Sequence, residues 1–195
     1  MTYSDGRKYV GQWVDDEWTQ GTLTSTNGDK YVGKWTDDGF TGQATVSGSE
    51  GEYDYKYVGQ MVNDMRHGQG TITWSDGEKY VGQWRNDEMH GQGTYIYYDG
   101  RKYVGQWVEG DKCGQGTMTW PSGYGYRYAK YVGQWEDDEM NGSGILIYQP
   151  NLPQIKFTGY FVDGMPRSGI LVRTNGTFKG AWDEDGDMVS GGRIK

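Results

Sequence analysis

One cysteine, Cys113, and four prolines are all that the 195 residues hold of those two residue types. A single thiol cannot close an internal disulfide, so a reducing compartment is expected, and the chain must be held by packing and backbone pairing alone. No apolar run approaches the roughly 18 residues of a membrane-spanning helix, and no charged-then-apolar leader opens the sequence. The expected location is therefore cytoplasmic, with a cytoskeletal or ciliary association as a narrower version. Positive charge is also short, with 19 Lys and Arg against 27 Asp and Glu and a net charge of -8. That balance argues against nucleic acid as a partner and leaves anionic lipid as a weak one. Only 34% of residues are hydrophobic, yet 15% are aromatic, including 9 Trp and 17 Tyr. Disordered chains are poor in aromatics, so a folded chain is expected.

What is abundant is repetition. A unit running from Lys79 to Gly100 reads as two strands around the polar turn Arg85-Asn86-Asp87-Glu88, closed by Asp99-Gly100. Its opening aromatic recurs at Tyr9, Tyr31, Tyr57, Tyr80, Tyr103, Tyr131, Phe157 and Phe178, at intervals of 22, 26, 23, 23, 28, 26 and 21. A fixed period with small insertions marks a repeat array, in which each unit contacts its neighbours rather than a central core. Within the unit the alternation has a period of two, which is strand periodicity. Tyr80, Gly82 and Trp84 share one face with Tyr95 and Tyr97, while Lys79, Val81 and Gln83 share the other. The glycine between the aromatics, repeated at Gly11, Gly33, Gly59, Gly82, Gly105, Gly133, Gly159 and Gly180, is expected to leave room for a neighbouring ring. Asp5-Gly6, Asp76-Gly77, Asp99-Gly100, Asn27-Gly28 and Asn175-Gly176 are expected to make tight hairpin turns, because both residue types tolerate positive φ. The fold class is all-β: an elongated single antiparallel sheet of about fifteen stacked strands, on the order of 70 Å long.

Aromatic-x-Gly-x-Trp, a turn, Gly-x-Gly-Thr and Asp-Gly together resemble the MORN (membrane occupation and recognition nexus) repeat along essentially the whole chain. Both late glycines are present at Gly68 and Gly70, Gly91 and Gly93, Gly114 and Gly116, and Gly142 and Gly144. The outer repeats depart from this: the first keeps only Gly21, the second has Ala44 for its second glycine, and the seventh keeps only Gly169. Val10, Val32, Val58, Val81, Val104 and Val132 stand where the family usually carries an acid. One array is expected over 1–195, with a partial hairpin at 1–8, about seven full repeats over 9–177 and a degenerate cap at 178–195. The resemblance implies a non-enzymatic scaffold for protein interaction and self-association, with phospholipid binding as a second association of the family.

Three segments lengthen the array, at Ser47 to Lys56, Pro121 to Lys130 and Gln149 to Lys156, always in the turn after the second strand. Insertions on one side of an array often mark its binding side, and two carry tyrosines: Tyr53 and Tyr55, then Tyr124, Tyr126 and Tyr128. The competing reading is that Tyr53 and Tyr55 merely extend a strand. By turn, this edge carries ten basic and eight acidic residues and the opposite edge six and nineteen. The basic column includes Lys56, Lys79, Lys102 and Lys130, the residues that would meet an anionic lipid surface.

No constellation for catalysis is present. His67, His90 and Cys113 fall at one repeat position, but equivalent positions are about 10 Å apart, whereas a zinc ion needs ligands within about 2.3 Å. Asp183, Asp185 and Asp187 suggest a calcium loop that fails where glycine should stand at Met188 and glutamate at Ile194. No metal, cofactor or enzyme activity is expected. The aromatic face is the remaining candidate: Tyr80, Trp84, Tyr95, Tyr97, Tyr103, Trp107 and Trp120 are expected to line a groove for a peptide or helix, or to pair with a second copy as a homodimer.

Overall fold

Residues that alternate aromatic and polar, interrupted every seven to twelve positions by a turn, can only make short strands joined in sequence. In the computed structural model, which describes residues 1–183 and 187–194, sixteen strands form and each pairs antiparallel with its successor inside one of two units. The first unit, Met1–Tyr98, holds β1 (Lys8–Val14), β2 (Glu17–Thr24), β3 (Lys30–Thr36), β4 (Gly39–Glu50), β5 (Tyr53–Val62), β6 (Met65–Trp74), β7 (Lys79–Arg85) and β8 (Glu88–Ile96). The second, beginning at Asp99, holds β9 (Lys102–Val108), β10 (Asp111–Thr119), β11 (Tyr128–Glu136), β12 (Glu139–Tyr148), β13 (Gln154–Val162), β14 (Met165–Arg173), β15 (Gly176–Trp182) and β16 (Met188–Ile194). No helix occurs among the described residues. The hairpin β15–β16 completes an eighth unit in the expected cap, most of β16 being exposed.

The face assignment follows the alternation. Along β7 and β9, Tyr, Gly and Trp are buried while Lys, Val and Gln turn outward, apart from a half-buried Lys79. The opening aromatics Tyr9, Tyr57, Tyr80, Tyr103 and Tyr131 have at most 1% of their surface exposed. Each lies flat over two glycines, one on its own strand and one on the next. A Cβ on Gly82 would fall on the Tyr80 hydroxyl and 2.6 Å from the Cα of Gly93, and one on Gly93 would enter the Tyr80 ring. The ring that needs the glycine is therefore the one two residues earlier on the same strand. With its body packed, the Tyr80 hydroxyl still donates to the Gln83 carbonyl at 2.8 Å, and Tyr57, Tyr103 and Tyr131 repeat that bond to Gln60, Gln106 and Gln134.

The first glycine of Gly-x-Gly has a different task. Gly68, Gly91, Gly114 and Gly142 all take positive φ, between 58° and 80°, at bulges where an L side chain is strained. The space is filled by the glutamine of the preceding strand. Gln60, Gln83, Gln106 and Gln134 place Oε1 there and accept a backbone N–H from Gln69, Gln92, Gln115 and Ser143, at 2.7 to 3.0 Å.

The turns overturn one expectation. In Asp5-Gly6, Asn27-Gly28, Asp76-Gly77, Asp99-Gly100 and Asn175-Gly176 only the glycine has positive φ, and these segments link one hairpin to the next. The mirror-image two-residue turns lie instead inside the hairpins, at Asp15-Asp16, Asn63-Asp64, Asn86-Asp87, Glu109-Gly110, Asp137-Asp138 and Asp163-Gly164, where both residues have φ between 46° and 93°. Asp and Asn tolerate that region because their short polar side chains find local partners. The acidic edge thus has a conformational cause: the turn type recruits Asp.

Those turns also join hairpins. In the first unit Asp64 donates its N–H to the Phe40 carbonyl and accepts the Phe40 N–H, both at 3.0 Å, and Asp87 does the same with Arg66 at 3.0 and 2.8 Å. In the second unit Asp138 clasps Lys112 at 3.2 and 2.9 Å. Gly164 keeps half of this, donating to the Met140 carbonyl, and the residue at the corresponding position of β14 is Pro166, which has no N–H to give.

Buried phenols resist ionisation, and burial pushes Tyr57, Tyr131 and Tyr148 up to about 12. A group whose folded value is raised favours the folded state at pH below the unfolded value, near 10, and loses that contribution as pH climbs to about 12. Stability should therefore be flat through neutral pH and fall between pH 10 and 12. In a spectrophotometric titration, phenolate absorbance from the buried tyrosines should appear only with loss of β-sheet ellipticity. Full ionisation of all seventeen at pH 10 in a folded protein would contradict this burial.

Candidate functional site

The aromatic face is covered by its own repeats. Trp13, Trp84, Trp107 and Trp135 stand edge-on against the Tyr four residues earlier, as in Tyr80–Trp84 at 5.1 Å and 88° and Tyr103–Trp107 at 5.2 Å and 88°. Trp84 and Trp135 also cover the opening aromatic of the previous repeat, Tyr57 at 5.7 Å in the first unit and Tyr103 at 5.2 Å in the second. Phe161 covers Tyr131 and Trp182 covers Phe157 in the same way. These edge-to-face contacts favour ring quadrupoles and overlap like roof tiles, so the rings need no separate lid.

Of the residues expected to line a groove, Tyr80, Trp84, Tyr103 and Trp107 are consequently at most 4% exposed, whereas Tyr95, Tyr97 and Trp120 are half-buried. The accessible aromatics cluster at the end of the second strand, beside the insertions. In the first unit Trp74, Tyr95 and Tyr97 form a run with centroids 5.8 and 4.6 Å apart, fixed by a bond from the Tyr95 hydroxyl to Glu78. In the second unit Trp120, Tyr128 and Tyr148 form another, at 5.6 and 5.7 Å. Trp74 carries the signal that sequence reasoning had available, since it occupies the repeat position of Tyr97, Trp120 and Tyr148.

The insertions take two forms. Ser47 to Lys56 lengthens the β4–β5 hairpin as regular strand, with Gly48 opposite Tyr55 and Glu50 opposite Tyr53. Tyr55 is half-buried, with the Arg66 guanidinium 5.9 Å from its ring, and Tyr53 is 47% exposed. Pro121 to Lys130 forms a loop up to Tyr128, where β11 begins. There the Tyr126 hydroxyl donates to the buried Asp99 carboxylate, whose value is held low by that bond and by Arg101 against its burial. Tyr124 stands out at 67% exposed.

Lys56, Lys102 and Lys130 are exposed and Lys79 half-buried, in line with the valines of the outer face. His67, His90 and Cys113 are half-buried, and burial pushes the Cys113 thiol up. No cluster of three metal-ligating residues occurs among the described residues, and Asp185 lies outside them.

Two basic residues lie where other repeats place Trp18, Phe40, Met89 or Met140. The Arg66 guanidinium sits 4.5 Å above the Trp84 ring and pairs with Glu50 and Asp87, and the Lys112 ammonium lies 5.7 Å from Trp135 and 2.7 Å from Asp138. They use the faces of the Trp rings as cation–π partners and so belong to the packing of the face.

A family model described as MORN repeat matches residues 9–30, 57–79, 80–100, 103–123 and 131–151, together more than half of the chain. The unmatched stretches include the repeat with Ala44 and those opening at Phe157 and Phe178. No curated protein matches the chain.

Proposed function

The chain belongs to the MORN repeat family, and on that footing we propose that this non-enzymatic repeat protein holds a peptide or helix of a protein partner against the exposed ends of its aromatic columns. The carrying observation is the contrast in burial: the repeat's own Tyr and Trp are closed over one another, while Trp74, Tyr95 and Tyr97 of the first unit and Trp120 of the second keep accessible ring surface beside the insertions. Large rigid aromatics with partly wetted surface are the residues that interfaces favour, since they bury much area at little conformational cost. The neighbouring carboxylates Glu50 and Glu78 are engaged by Arg66 and by the Tyr95 hydroxyl, so the surface offered to the partner is an apolar ridge.

The test compares partner retention from lysate by the wild-type chain, by Tyr97→Ser and Trp74→Ser of the first unit, and by Val81→Ser on the outer face. The first two should each weaken capture of the same partner about thirtyfold or more, because a hot-spot aromatic contributes about 2 kcal/mol or more, with the fold retained. Equal retention by all variants, or a loss confined to Val81→Ser, would refute this placement. Pelleting with anionic vesicles that depends on Lys56, Lys102 and Lys130 would instead favour attachment to lipid.

A further inference from the structure

The second unit contains a cavity of about 160 Å³ between the 121–130 insertion and β13–β15. Its walls include Tyr148, Phe157, Leu171 and Trp182, and two arginines, Arg127 and Arg173, line it as well. Arg173 is out of pattern. Counting from the second glycine of each repeat, its position is held by Trp120 just after β10 and by Tyr148 in β12, so an arginine has entered an aromatic column. Arg173 Nε is shielded from solvent and has no hydrogen-bond partner, a costly state for a polar N–H, while its guanidinium lies 5.6 Å from the Phe178 ring centroid. Arg127 reaches in from the insertion, its guanidinium 5.9 Å from the Tyr148 ring centroid. Both cations act on Tyr148, opposing the rise that burial causes in its phenol.

The charge and the space together define a ligand. One carboxylate, Asp183, also borders the cavity, but its Oδ1 is engaged by the Asp187 N–H at 2.8 Å. Two arginines and one aspartate leave a single positive charge, which matches a monoanion. A cavity of about 150 Å³ holds a benzene-sized group when its walls are apolar. A phosphate dianion would bury a second charge against rings that cannot solvate it, whereas a planar carboxylate fits guanidinium forks.

We propose that this cavity binds a small carboxylate with a ring-sized apolar body, the ring held among Tyr148, Phe157, Leu171 and Trp182 and the carboxylate by Arg127 and Arg173. The site is separate from the aromatic columns assigned above to a protein partner, and it stands whether or not that assignment does. Titration calorimetry on the full chain, with benzoate as the probe and benzamide and inorganic phosphate as controls, tests it. Benzoate should bind saturably, and benzamide and phosphate at least about tenfold more weakly, the loss expected for one charge-assisted pair. Arg127→Ala, an exposed loop change that leaves the fold intact, and Arg173→Met should each weaken benzoate about tenfold. Absence of saturable benzoate binding, equal affinity for benzamide, phosphate binding as tightly as benzoate, or wild-type affinity in both variants would each overturn the assignment.

Discussion

Alanine at Gly93 should cost the first unit about 3 kcal/mol or more, yet should cost almost nothing once Tyr80 is also alanine. The added methyl has nowhere to go: it would enter the Tyr80 ring, which also lies over Gly82 of its own strand and which Trp84 meets edge-on. Forcing atoms into a packed site typically costs 1–3 kcal/mol, and more where backbone must shift. Tyr80→Ala alone removes a fully buried ring and its bond to the Gln83 carbonyl, a loss of about 3–5 kcal/mol. In the double variant the methyl occupies space the ring has left, so the two costs are strongly non-additive. Urea denaturation followed by tryptophan fluorescence gives all three values. Additive costs would mean that the glycine serves some purpose other than admitting the ring. A control sits at Gly77, where a Cβ meets nothing and only the positive φ opposes it, so Gly77→Ala should cost about 1 kcal/mol.

The second large effect concerns Asp138. Asp138→Ala is expected to destabilise the second unit by about 3 kcal/mol, from two sources: the Lys112 N–H loses its charged acceptor, and alanine must hold φ at 69°. The ion pair itself contributes less, because the Asp138 side chain is 49% exposed and such pairs are worth under about 1 kcal/mol. Asp138→Asn, which keeps an acceptor and tolerates the turn, should therefore cost about 1 kcal/mol or less. Lys112→Met puts into β10 the residue that β8 and β12 carry at the same position, in Met89 and Met140, and should be neutral or stabilising. Thermal melts of the four proteins decide this, and equal losses for Ala and Asn would assign the effect to charge alone.

Much of this architecture is legible because its period is short. Tyr80, Gly82 and Trp84 declare their common face by alternation, and the glycine spacing declares the ring it must accommodate. What escaped is whatever depends on the relation between successive hairpins. The aromatic groove is largely closed because Trp84 lies over Tyr57, 27 positions earlier, and Trp135 over Tyr103, 32 earlier; alternation within one hairpin cannot reveal such overlap. The role of Gln83 was hidden for another reason: glutamine in a strand looks like a solvated outer residue until the bulge at Gly91 supplies the amide it caps. Asp-Gly dipeptides point to hairpin turns by residue type alone, whereas the mirror-image turns lie at Asn86-Asp87 and its counterparts. Arg173 could have been found from sequence, since it breaks a column of aromatics at a fixed offset from the repeat glycine.

The clasps of Asp64, Asp87 and Asp138 all point backward, from a later hairpin to the one before it. During synthesis that direction matters. A hairpin leaving the ribosome meets a predecessor whose strands are already complete and whose free amide is waiting, and no hairpin depends on chain still to be made for its own internal ladder. Growth can thus proceed one hairpin at a time in the order of translation, each arrival protecting the polar backbone of the last. Gly164, which has no carboxylate, keeps only the amide half of this tether, donating to the Met140 carbonyl.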